Sequence, residues 1–145
     1  MANWTPERFV GKMFKIVASH ISPAGMPSPL LWGKEDVVRK RFADGVAYVQ
    51  TARKQYVMEY PFPPAEVVEF FRKLYGPINQ AFAALDERGQ CKLRSELEEL
   101  WTSHNEANDG CTRVHAEYLQ VIATRIGDFC TLYIPDQTGT QNAAQ

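Results

Sequence analysis

Apolar residues recur at helical spacing from close to the start of the chain. Phe9, Val10, Met13, Phe14, Ile16, Val17 and Ile21 form one broad face of a helix predicted over 6–21. Thr5-Pro6-Glu7 reads as its start, with Thr5 as the capping residue, Pro at the first helical position and an acid in the first turn. Three prolines in 22–29 forbid helix and favour an extended loop, and Leu30-Leu31-Trp32 follows as an apolar plug. Gly33 opens a short helix to about Phe42, with Val37, Val38 and Phe42 inward.

Asp44-Gly45 turns the chain into β structure. Residues 46–51 alternate, and 55–60 are rich in β-branched and aromatic side chains. Ala52-Arg53-Lys54 between them holds no Gly, Asn or Pro, which favours one long twisted strand over a tight connection. Helices are then predicted over 65–75, 78–85 and 91–104, broken by Gly76-Pro77 and by a turn at Asp86-Glu87-Arg88-Gly89. A last strand is predicted over 113–125. Its stretch 119–123 is almost continuously apolar, as in a strand covered on both faces.

Composition narrows the function classes. The 145 residues suit one domain, with 45% hydrophobic and 12% aromatic content and a net charge of −1. Nucleic-acid binding is not expected, because no basic surplus exists; Arg39-Lys40-Arg41 reads as the solvated end of a helix. No apolar stretch approaches the ~20 residues that span a bilayer, and the expected location is the cytoplasm. Cys91, Cys111 and Cys130 are odd in number and widely spaced, suggesting neither a disulfide framework nor a zinc knuckle. The three histidines are scattered, so no metal site is assigned.

Ala2-Asn3-Trp4 reads as the end of a strand set directly against a helix start. That juxtaposition is typical of an internal strand-to-helix junction in an α/β domain, with the earlier strands outside this chain. Together with Pro27-Ser28-Pro29-Leu30-Leu31-Trp32-Gly33, Glu69-Phe70-Phe71, Tyr75-Gly76-Pro77 and Glu117-Tyr118-Leu119, it carries a resemblance. The chain resembles, over roughly 2–125, the C-terminal half of class I S-adenosylmethionine-dependent methyltransferases. The similar subgroup is the ubiquinone/menaquinone-biosynthesis-like one (methyltransferase type 11), with a helical insertion before the last strand.

The resemblance implies a Rossmann-like seven-stranded α/β fold. This chain would supply the end of the fifth strand and the paired sixth and seventh, and is α+β as it stands. Residues 1–126 would form the partial domain on the acceptor side, and 127–145 a short apolar run followed by a polar, disordered tail. The family holds S-adenosylmethionine mainly through a glycine-rich loop and an acid in its other half. Here no two glycines lie within seven positions of each other, so a G-x-G turn cannot be present. The cofactor-binding half is missing, no cofactor-binding residue is assigned, and this chain alone is expected not to bind S-adenosylmethionine. No catalytic residue is evident; methyl transfer needs mainly alignment and exclusion of water, because the sulfonium carries the reactivity.

Acceptor-lining candidates each have a plainer reading. Trp4 lines a pocket at a strand's carboxyl end or packs there. Met13 faces an acceptor or belongs to the core, and Trp32 is a lid or a plug. Phe71 and Tyr75 belong to an aromatic patch that would cover the acceptor side in the full enzyme. His104 supplies a base near an acceptor or only meets the helix dipole. The partners implied are a small-molecule acceptor and either a second copy or a complementing cofactor-binding half. A small-molecule binding module that kept the pocket, and a structural partner of that other half, remain alternatives. Loss of the larger sheet is also expected to uncover Phe9, Met13 and Val17.

Overall fold

The computed structural model describes residues 1–21 and 28–126. The remainder of the proline-rich loop, Cys130 and the expected tail over 127–145 lie outside the described residues. The architecture is α+β: five α-helices and an open three-stranded antiparallel sheet. In chain order the elements are β1 (Ala2–Trp4), α1 (Phe9–His20), a 3-10 turn (Pro29–Gly33), α2 (Glu35–Arg41) and β2 (Val46–Tyr60). They continue with α3 (Pro64–Leu74), α4 (Gly76–Ala83), α5 (Glu87–His104) and β3 (Thr112–Arg125).

The sheet order is β1-β3-β2, so the last strand lies between the first two and runs antiparallel to both. Residues 46–60 form the single long strand the sequence favours, paired with β3 from Tyr60↔Thr112 to Val46↔Arg125. Strand alternation sends successive β3 side chains to opposite faces, and each face meets a different cluster. Val114 and Ala116 join the main core with Phe9, Met13, Val68, Leu97 and Trp101 under α1, α3, α4 and α5. Leu119 and Val121 join Val38 in a smaller cluster capped by Trp32, Phe42 and Val49.

Several expectations need correction. Thr5 does not cap α1. The helix starts at Phe9 after a turn, with Arg8 at the capping position and no side-chain cap. The Thr5 hydroxyl instead donates to the Glu117 carbonyl at 3.2 Å, and its N–H donates to the same oxygen at 3.1 Å, fastening the end of β1 to β3. The expected breaks fall between α3 and α4 and between α4 and α5, but Gly76-Pro77 already belongs to the first turn of α4, and Asp86 caps α5, whose first turn takes in Glu87–Gly89. Proline is tolerated in a helix's first turn, and the Asp86 carboxylate accepts the Gly89 N–H at 2.8 Å. The stretch 119–123 is not covered on both faces, since Ile122 is half exposed. Phe9 and Met13 are not uncovered either. Both are 2% exposed because α5 and β3 close over α1 from within the chain.

Candidate functional site

Two concavities lie on either side of the connection from β1 to α1, one lined by residues 1–4 and the other by residues 7–9. The first is a groove of 780 Å³ on the open sheet face, whose lining includes Trp4, Tyr56, Tyr118 and Ile122. The pleat puts these side chains there: Trp4 pairs with Tyr118 in the β1–β3 register, and Tyr118 and Ile122 alternate to the same face. Trp4 meets the rings of Tyr118 and Tyr56 edge-on, with centroids 6.1 and 6.4 Å apart. Flat aromatic faces that keep a polar tip suit an amphipathic ligand.

The second is a polar cleft of 460 Å³ just beyond Trp4. Arg8 and Lys12 reach it from the start of α1, Gln55 from β2, His104 from the end of α5, and His115 and Glu117 from β3. Glu117 is 7% exposed, an uncommon place for a carboxylate without close partners. Its Oε2 accepts from the Gln55 amide at 3.3 Å and lies 3.6 Å from Arg8 Nε. Its Oε1 is 3.6 Å from an Arg53 guanidinium nitrogen and accepts no hydrogen bond from the described residues. Arg53 also pairs with Glu35 of α2 at 3.7 Å. His104 is fixed from both sides: Nδ1 lies 3.0 Å from the Leu100 carbonyl, and Nε2 faces Lys12 Nζ at 3.4 Å. With the ammonium donating, the ring proton is assigned to Nδ1. Opposite, His115 Nε2 pairs with Glu106 at 3.2 Å.

The sequence-predicted residues do not converge on one place. Trp4 lines the groove and His104 the cleft, on either side of the β1 terminus. Met13 is buried in the main core, with Phe71 and Tyr75 packed against it. The Phe71 ring lies 5.4 Å from Trp101 and 5.6 Å from Tyr75, and burial pushes the Tyr75 phenol above its ordinary range. Trp32 sits on the opposite sheet face, stacked under the Arg41 guanidinium at 4.1 Å and tilted against Phe42. Sequence reading passed over Glu117, Arg8 and Gln55. The one available signal was an acid at Glu117 directly before an apolar strand segment, where a buried charge demands partners. Among the described residues no group of three or more His, Cys, Asp or Glu could hold a metal ion. No described helix is long and apolar enough to cross a membrane.

Comparison with known proteins places these features in a longer context. No protein-family model matches the chain. It is similar to the uncharacterized protein Rv1403c of Mycobacterium tuberculosis, 33% identical over 102 residues, or 68% of this chain and 37% of that protein. The uncharacterized protein Mb1438c of Mycobacterium bovis gives the same values. The uncharacterized protein Rv1405c of Mycobacterium tuberculosis is 30% identical over 128 residues, or 85% of this chain and 45% of its own length. The chain thus spans less than half the length of the curated relatives it matches.

Proposed function

We propose that this chain is the acceptor-side part of an S-adenosylmethionine-dependent small-molecule methyltransferase fold, inactive in methyl transfer by itself. The observation that carries the reading is the pairing of β2 and β3 along their whole length, with the three helices α3–α5 inserted between them and the short β1 beside β3. That arrangement agrees with a fifth strand's end, paired sixth and seventh strands and a helical insertion before the last. An aromatic groove and a polar cleft at the β1 terminus suit a half whose work is to hold an acceptor and exclude water. The greater length of the relatives leaves room for a cofactor-binding half. The binding-module alternative draws on the fact that both concavities are built by this chain's own residues.

Calorimetry with S-adenosylmethionine tests the reading on three proteins: Rv1403c, this chain, and a chimera carrying this chain in place of the matched segment. The first and third are expected to bind, and this chain alone to show no dissociation constant below about 100 μM, roughly −5.5 kcal/mol. A full-length relative that fails to bind the cofactor overturns the reading. So does tight binding by this chain alone.

A further inference from the structure

We infer that the polar cleft at the β1 terminus is a binding site for a neutral, polyhydroxylated small molecule, with the Glu117 carboxylate as its main acceptor. The inference does not depend on the methyl-transfer reading and holds equally for a binding module.

The first argument is the state of Glu117. An ionised carboxylate can accept about four hydrogen bonds and makes charge-assisted ones at roughly 2.7–2.9 Å. Glu117 is nine-tenths buried, yet it accepts one hydrogen bond, at 3.3 Å from an amide, and its two cationic neighbours stand off at 3.6 Å. A buried carboxylate held so loosely carries a desolvation cost that further donors would offset. The groups that cover it, Arg8, Arg53 and Gln55, are exposed side chains that can give way.

The second argument is the charge pattern, which selects the ligand. The cleft lining mixes Glu7, Glu106 and Glu117 with Arg8 and Lys12, and Arg53 pairs with Glu117 from outside the lining, so a cation aimed at Glu117 meets like charges beside it. An anion drawn to those cations meets the Glu117 carboxylate. A hydroxyl both donates and accepts, so it can satisfy Glu117 while accepting from Lys12 or Arg8. At the rim the Lys12 ammonium, donating to His104 Nε2 at 3.4 Å, keeps two further N–H donors for a ligand hydroxyl. A cleft of 460 Å³ falls within the range of small-molecule sites.

The test is a two-dimensional amide NMR titration of this chain with D-ribose and with myo-inositol, each to about 50 mM, far above a millimolar dissociation constant. Saturable shifts confined to the cleft, among them Arg8, Lys12, Gln55, His104, His115 and Glu117, are expected with at least one probe. Glu117→Gln is expected to weaken that binding at least ~10-fold, and the exposed Lys12→Met about 3-fold, each fold-change being read directly as a ratio of dissociation constants. Lys12→Met leaves the core untouched, so it decides the matter should Glu117→Gln fail to fold. No saturable shift with either probe overturns the inference. Binding that is unchanged in the folded variants also overturns it.

Discussion

Replacing Gly33 by alanine probes how the 3-10 turn is seated on β1. A Cβ built there lies 2.0 Å from the Trp4 carbonyl oxygen, 2.8 Å from its carbon and 3.1 Å from Thr5 Cα, all backbone atoms that cannot rotate away. An ordinary carbon–oxygen contact is about 3.3 Å, so the turn must retreat from β1 by roughly 1.3 Å. Such a retreat strains the Asn3 side-chain bond to the Pro29 carbonyl, 2.9 Å long, and loosens Trp32 and Val38 over β3. Overpacking costs about 1–3 kcal/mol and the lost hydrogen bond about 1 more, so a total of roughly 2–4 kcal/mol is expected. For a chain of this size that is a fall in Tm of roughly 7–15 °C. Gly110→Ala is the control. Its Cβ meets nothing within 4 Å, but φ is +83°, so only the left-handed backbone is penalised, at about 1 kcal/mol. Urea and thermal unfolding followed by circular dichroism measure both variants. A Gly33→Ala protein no less stable than Gly110→Ala would refute the close approach and the seating of the turn with it.

Three further outcomes are expected. Thr5→Ala removes the hydroxyl bond to the Glu117 carbonyl but leaves the Thr5 N–H on the same oxygen, so urea unfolding should register a loss of about 1 kcal/mol; no change in midpoint counts against the contact. Burial, with the neighbouring Tyr56 second, raises the Tyr60 phenol above its ordinary range. The folded state therefore disfavours the phenolate, and this contribution to stability is intact below pH ~10 and is lost as pH rises through the higher folded value. Tyrosinate absorbance should lose a late-titrating component in Tyr60→Phe, and an unchanged curve would contradict the burial. Finally, among the described residues β1 and β2 each have one edge without a strand partner, so light scattering at ~50 μM should detect self-association; a clean monomer at that concentration would refute it.

The long local elements were legible because their information is local. The apolar face of α1, the continuous β2 and the α3–α5 succession each follow from spacing within a dozen or so residues. Thr5 was misread because Thr-Pro-Glu fits a helix start equally well, and only the distant Glu117 carbonyl decides where the hydroxyl goes. The cover over Phe9 and Met13 was missed for the same reason: it comes from α5 and β3, far along the chain. The polar cleft was illegible as a site. Arg8, Gln55, His104 and Glu117 come from four elements, and no window of sequence holds two of them at a recognisable spacing.

The central position of β3 also governs how the molecule must assemble. Among the described residues each of the other two strands bonds only to β3, so this sheet cannot form until β1, β2 and all five α-helices have been synthesised. The β1 pairing closes a span of 120 residues between Met1 and Val121, a loop whose entropy must be met before any of its hydrogen bonds form. Synthesis therefore leaves the fifteen-residue β2, with Tyr48, Tyr56 and Val57 exposed, waiting unpaired for its partner. Arg53 and Lys54 fall near the middle of that strand, where like charges on two nascent chains repel. Arg53, which pairs with Glu117 in the finished protein, thus acts earlier together with Lys54, as a guard against the wrong partner.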